Sequence, residues 1–306
     1  MKTPAIQTDM LSRSFDKEKV LRGIDLTIEP GQVVGLVGTN AAGKTTLIKC
    51  LLGLLKATSG KCRLLGEDSW NLSAKAKTRI GYVSQDFELI PWMTVQGMCD
   101  YTGAFYELWN TQHVTRLITE WNLPPDKRVG TLSVGQRQKL AVILALGHSP
   151  ELLLLDEPVA SLDPYARRQF LESLIQFTET EENTVLFSTH ITSDLERIAS
   201  HVAILREGQI AWYGPLDTLK EGCKRLRIQS RKTLPHDFVV PTAIRYEMHG
   251  THAVVSVAEM DDHLQQTLAE KYDANVQVED LNLEEIFLEW TRDPHSDPSS
   301  SAEVLS

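Results

Sequence analysis

Apolar residues along this chain alternate between two rhythms, and the rhythms mark strands and helices. Gln32-Val33-Val34-Gly35-Leu36-Val37 is a short, β-branched run suited to a buried parallel strand, and residues 47–52 continue with apolar positions at helical spacing. Between residues 86 and 150 strand signals thin out, and helical stretches over 98–108 and 114–121 predict a helical insertion. Strand runs return at 152–155, 184–188 and 202–205, separated by helical patterns over 165–177 and 194–199. Such alternation predicts an α/β fold, a mainly parallel sheet with helices on its faces. Ser193, followed three residues later by Glu196, predicts a capping box on the last of these helices.

Past Gly222 the pattern changes again. Residues 225–229, 243–248 and 253–257 read as strands, 261–272 as an amphipathic helix, 275–278 as another strand and 283–290 as a closing helix. The expected organisation is a main domain over 1–222 with its insertion at about 86–150, then a small α+β domain over 223–292. Residues 293–306 carry short side chains and prolines and too few apolar groups to pack, so a disordered tail is expected there.

Between the first buried strand and its helix lies Gly38-Thr39-Asn40-Ala41-Ala42-Gly43-Lys44-Thr45-Thr46, which fits G-x-x-x-x-G-K-[ST]. A glycine-rich turn opening onto a helix N-terminus presents unpaired N–H groups and the positive end of the helix dipole, a cradle for phosphates. Lys44 is placed to reach β and γ phosphates, and the Thr45 hydroxyl to ligate a magnesium ion bridging them. Farther along, four leucines end in Asp156-Glu157, which puts two carboxylates at the C-terminal edge of a strand, where open α/β sheets bind ligands. Asp156 suits the magnesium ion, and Glu157 suits a base that orients or deprotonates an attacking water.

Composition narrows the partners. A net charge of −10 over 306 residues, without a basic stripe, argues against a protein that coats nucleic acid. Cys50, Cys62, Cys99 and Cys223 fall in no metal-ligand spacing and read as buried, reduced thiols. The N-terminus lacks the apolar core of a secretory signal, and no apolar segment approaches the roughly 20 residues of a membrane span. Any membrane spans must therefore come from another protein.

Leu132-Ser133-Val134-Gly135-Gln136, just ahead of the leucine strand, resembles the LSGGQ signature of the nucleotide-binding subunits of ATP-binding cassette (ABC) transporters. The resemblance covers residues 1 to about 222, with motifs in family order: Gln85 matches the glutamine loop, Ser161-Leu162-Asp163 the loop after the carboxylates, and His190 the switch histidine. It implies a P-loop NTPase-type cassette that binds ATP with Mg2+, Gln85 joining Thr45 and Asp156 around the metal and His190 sensing the γ phosphate. Ser133 can cap its helix and so create a second anion-seeking start. In the family that start contacts the nucleotide held by the opposite subunit, so Ser133, Gly135 and Gln136 are expected to act in trans, in a head-to-tail dimer with a second copy of the chain or a homologous ATPase subunit. Phe15 matches the position of an aromatic that stacks on adenine.

Two positions depart from the family pattern. Ala41 and Val134 each stand where glycine is common, and an alanine at 41 is harmless provided its φ is negative. A separate membrane permease is the expected partner, docking where Phe87, Leu89, Ile90, Trp92 and Met93 cluster beside Gln85, and the chain is then peripheral to the cytoplasmic face. Those residues serve equally as the insertion's own core. The order of Gly214-Pro215-Leu216 and a small domain ending Leu283 to Leu288 resembles the branch paired with ABC-2-type permeases, usually exporters. Two other readings stay open: a soluble ABC-type ATPase without a transport role, and a regulatory ATP sensor. Relatives of the first kind generally carry two cassettes or zinc spacings, absent here, and an intact Asp156, Glu157 and His190 argue against the second.

Overall fold

A computed structural model describes residues 3–86, 88–159, 162–180, 182–235, 237–261 and 263–291. Two compact units divide the chain, the first running to Tyr213 and the second beginning at Gly214. In chain order the first unit holds β1 (Ile6–Phe15), β2 (Glu18–Ile28), β3 (Val33–Val37), α1 (Lys44–Leu51), β4 (Ser59–Leu64), β5 (Glu67–Asp68), α2 (Ala74–Lys77) and β6 (Ile80–Val83). Three helices of the insertion follow, α3 (Val95–Gly103), α4 (Thr111–Glu120) and α5 (Val134–Leu146). Then come β7 (Leu152–Leu155), α6 (Pro164–Thr178), β8 (Thr184–Ser188), α7 (Thr192–Ile198), β9 (His201–Arg206) and β10 (Gln209–Pro215), the last two residues of β10 falling past the unit boundary.

These strands form two sheets. The main one has the order β10-β9-β3-β8-β7-β6, and β9, β3, β8, β7 and β6 all pair in parallel. Every residue of β3, β7 and β8 is buried, which is why their sequences are apolar runs rather than alternations: helices or a second sheet cover both faces. An antiparallel sheet, β2-β1-β4-β5, shares one core with α1 and the main sheet, built from Ile6, Leu21, Ile24, Leu36, Leu47, Leu51, Leu154 and Leu186 among others. Parallel strands align their C-terminal ends on one edge, so the residues that follow β3, β8, β7 and β6 converge there without further design.

The second unit contains α8 (Leu216–Gly222), β11 (Lys224–Ser230), β12 (Ala243–His249), β13 (His252–Val257), α9 (Leu264–Tyr272), β14 (Ala274–Asp280) and α10 (Leu283–Thr291). Its antiparallel sheet, β12-β13-β11-β14, buries Leu226, Ile228, Val255, Val257 and Val276 against Leu264 and Leu268 of α9. The other face of that sheet is polar, with Arg225 and Arg245 bonded to carboxylates of α10.

Several expectations need correction. The unit boundary lies nine residues before 223, because α8 packs within the second unit: a Cβ on Gly222 would touch the Ala258 carbonyl at 3.1 Å. The capping box at Ser193 does not form. α7 starts earlier, its N-cap is Ile191 with no side-chain cap, and the Ser193 hydroxyl accepts instead from Arg167. The helix expected over 98–108 ends at Gly103, where the indole of Trp109 would be 2.8 Å from any Cβ, and Leu108 stands exposed beyond it. The helix expected from 261 starts at Leu264. Phe87, Ser161 and the tail 293–306 lie outside the described residues. All four cysteines are buried, and burial pushes the Cys50 thiol up to about 11 and those of Cys62, Cys99 and Cys223 to about 12.

Candidate functional site

The phosphate loop bridges the C-terminal end of β3 and the first turn of α1. Two of its glycines are required by space: a Cβ on Gly38 would sit 2.4 Å from the Leu205 carbonyl oxygen, and Gly43, at φ +107°, would press on Leu21 at 2.9 Å. Gly43 is the N-cap of α1 and offers no side chain to the first-turn N–H groups, which leaves those donors and the positive helix end for an anion. Ala41 stands at φ +67°, in the left-handed region, which overturns the condition of a negative φ. A Cβ there costs about 1 kcal/mol relative to glycine. Thr39, Asn40, Ala42 and Thr46 complete the loop and the helix start.

Lys44 is buried and folds back across the loop, its Nζ donating to the Gly38 carbonyl at 2.9 Å and the Thr39 carbonyl at 3.2 Å. The same ammonium lies 3.8 Å from Glu157 Oε1. Glu157 Oε2 accepts from His190 Nδ1 at 2.8 Å, a bond that places the ring proton on Nδ1. Lys44, Glu157 and His190 thus come from three connections, after β3, β7 and β8, and meet at one carboxylate.

Glu157 is held in a left-handed conformation, φ +50°, uncommon for a residue with a Cβ. Two bonds fix it there: its N–H donates to Ser188 Oγ at 2.8 Å, and its carbonyl accepts from Gln138 Nε2 at 3.2 Å. Ser188 Oγ in turn donates to Asp156 Oδ1 at 2.8 Å. Ser188 and Gln138 escaped the reading of the sequence. Ser188 closes the buried strand β8 and Gln138 lies among the buried residues of α5, and a polar residue in such a place is the signal that points to them.

Asp156 is buried, and its second oxygen, Oδ2, has no hydrogen-bond partner among the described residues. Its negative charge is felt next door: the Tyr82 hydroxyl is pushed up to about 12, first by burial and then by Asp156. An orphaned carboxylate oxygen on the same sheet edge as the Thr45 hydroxyl and the Gln85 amide makes an all-oxygen donor set, which suits Mg2+. Among the described residues no group of three or more His, Cys, Asp or Glu could hold a metal ion. Gln85 is exposed two residues past β6.

Two groups stand apart from this cluster. Ser133 caps α5, its Oγ accepting from the Gln136 N–H at 3.2 Å while Gln136 Oε1 accepts from the Ser133 N–H at 3.1 Å. Ser133 and Val134 are exposed and Gly135 half-buried, so a well-formed helix start faces outward. Phe15 ends β1 with its ring 42% exposed and the Arg13 guanidinium 4.5 Å from the ring centroid.

A family model described as ABC transporter matches residues 21–160. The ABC transporter ATP-binding protein NatA of Bacillus subtilis is 35% identical over 224 residues, 70% of this chain and 90% of NatA. The chain belongs to the ATP-binding proteins of ABC transporters. It is also 32% identical to the Nod factor export ATP-binding protein I of Cupriavidus metallidurans over 298 residues, 94% of this chain and 98% of that protein. In fold it is similar to a dimeric ATP-binding cassette solved in a post-hydrolysis state with ADP and Pi, at TM-score 0.61 and 22% identity over 69% of this chain and 98% of that one. As a family member it is an ABC ATPase that binds ATP with Mg2+ and serves as the ATP-driven subunit of a transporter. Among the described residues no helix is long and apolar enough to cross a membrane.

Proposed function

We propose that two copies of this chain close head to tail around two ATP molecules, and that the closure drives a separately encoded membrane permease. The observation that carries the reading is the buried Glu157 carboxylate, held in a strained backbone between Lys44 and His190 at the edge where the phosphate loop opens. In this reading the loop 38–46 and Lys44 grip the phosphates, Phe15 stacks on adenine, and Glu157 orients and deprotonates the water that attacks the γ phosphorus. His190 steers that carboxylate and senses the γ phosphate. Thr45, Asp156 and Gln85 would hold Mg2+, which would supply positive charge to offset that of the phosphates. The outward helix start at Ser133, Gly135 and Gln136 meets the partner's γ phosphate, since a capped, exposed α5 has N–H donors to spare for an anion from outside its own chain.

The permease would meet the insertion beside Gln85. Trp92 is 72% exposed there, while Leu89, Ile90 and Met93 are half-buried. Export is the direction this reading favours, in keeping with the end-to-end likeness to an export ATP-binding protein, and the chain then works at the cytoplasmic face of a membrane. Glu157→Gln keeps the shape of the site and removes the base, so hydrolysis falls by about 10²- to 10³-fold while ATP still binds. Normal turnover by that variant would remove Glu157 from the role. Trp92→Glu leaves nucleotide binding intact and abolishes transport in the presence of the permease, and unchanged transport would remove this face from the docking surface.

A further inference from the structure

One buried ion pair outside the nucleotide site joins the two helices that lead away from it. The connections after β7 and β8 each carry half of the Glu157–His190 bond, and α6 and α7 are the next helices along the chain. Glu157 precedes α6, which Asp163 caps by accepting from the Ala166 N–H at 2.9 Å; that bond is the first cause holding the Asp163 carboxyl below its ordinary range. His190 precedes α7, and the Thr189 Oγ1 accepts from the Ile191 N–H at 3.0 Å across the turn.

The same two connections are bonded a second time at their far ends. Arg167, in the first turn of α6, brings Nε and Nη2 each to 2.7 Å from Asp194 Oδ1, and Nη2 donates to Ser193 Oγ at 2.9 Å. Asp194 is 2% exposed. Burial pushes its carboxyl up, and the Arg167 guanidinium is the largest influence opposing that push. The carboxylate's second oxygen has no hydrogen-bond partner among the described residues, so its bonding is concentrated on the oxygen that Arg167 holds. A slide of α6 against α7 would have to break this clamp before it could stretch the 2.8 Å bond between Glu157 and His190.

We propose that Arg167 and Asp194 are positioning residues that keep the β7–α6 and β8–α7 connections in register, and so hold His190 and the Glu157 carboxylate at hydrolytic geometry. This rests on the proposed roles of Glu157 and His190. Neither Arg167 nor Asp194 touches the phosphate loop contacts of Lys44, so the clamp acts on turnover and not on nucleotide affinity. The balance of a catalytic carboxylate is sensitive to displacements of an ångström or less, which sets the size of the effect.

The test is steady-state ATP hydrolysis and ATP affinity for the full chain with Arg167→Gln, Arg167→Lys, Asp194→Asn and the double variant Arg167→Gln/Asp194→Asn, with Glu157→Gln alongside. Arg167→Gln is expected to lower kcat about tenfold with the ATP Kd within about twofold of wild type, and Arg167→Lys to recover part of the loss. The double variant should be no slower than the slower single one, because both remove the same clamp. Should Arg167→Gln unfold because it strands a buried carboxylate, Asp194→Asn, which removes that charge, carries the test. Wild-type kcat in a folded Arg167→Gln or Asp194→Asn protein, or additive losses in the double variant, overturns the proposal while an inactive Glu157→Gln keeps the site reading intact. Full turnover by Glu157→Gln overturns the site reading and the clamp with it.

Discussion

Two buried glutamates in this chain make opposite uses of the same chemistry. Glu289, on α10 of the second unit, is met by Arg225 at 2.7 Å and Arg245 at 3.7 Å, one guanidinium on each carboxylate oxygen. Its helical backbone is unstrained, and its partners come from two strands of one sheet, so the carboxylate fastens a helix to a polar sheet face. Glu157 is as deeply buried, yet its cation, Lys44, is 3.8 Å away and already engaged by two loop carbonyls, and its backbone sits at φ +50°. Both oxygens of Glu289 face guanidinium groups that tie α10 to the sheet. Glu157 instead faces the end of the phosphate loop, with an imidazole on one oxygen and a left-handed backbone beneath it.

The same substitution at both positions sharpens the contrast. Glu157→Gln should remove hydrolysis by about 10²- to 10³-fold and leave the melting temperature within the scatter of wild type, as read by a coupled ATPase assay and circular dichroism. Chelation of Mg2+ should act on the same side of the comparison, stopping hydrolysis without loosening α10, since the metal site proposed here involves no residue of the second unit. Glu289→Gln should do the reverse. It leaves Arg225 with Glu285 and Arg245 with Glu247, costs about 2 kcal/mol in urea unfolding of the second unit through the lost charged hydrogen bond, and leaves the activity of the folded fraction unchanged. If both variants lose activity and stability alike, the distinction between a fastening and a working carboxylate fails. The smallest effect belongs to Ala41→Gly. Releasing a left-handed alanine should strengthen the phosphate loop by about 1 kcal/mol, seen as a higher melting temperature or tighter ATP binding, and a loss in both would show that the Ala41 methyl makes a contact worth more than its strain.

How far the sequence is legible depends on which force decides each feature. The apolar runs of β3, β7 and β8 announce themselves because burial on both faces of a parallel sheet demands them, and the phosphate loop because only glycine fits at Gly38 and Gly43. The capping box at Ser193 was misleading for a tertiary reason: Arg167 of a neighbouring helix takes the hydroxyl that a local rule assigns to the helix end. The left-handed φ of Ala41 and Glu157 cannot be read from residue type, since both residues ordinarily avoid that region and are forced into it by loop closure and by bonds from Ser188 and Gln138. Ser188 and Gln138 themselves look like ordinary polar residues of β8 and α5 until strand register brings them beside Asp156 and Glu157. The boundary at Gly214 depends on where α8 packs, which no composition shift at residue 222 reveals.

The central claim is that the γ phosphate held by one copy is completed by the Ser133 helix start of another. It is tested most directly by sedimentation velocity of the Glu157→Gln protein with and without saturating Mg-ATP. The account predicts a monomer without nucleotide, a dimer with ATP, and loss of that dimer when Ser133→Arg is added to the same chain. A protein that stays monomeric with ATP bound, or an ATP-induced dimer indifferent to Ser133→Arg, would contradict it.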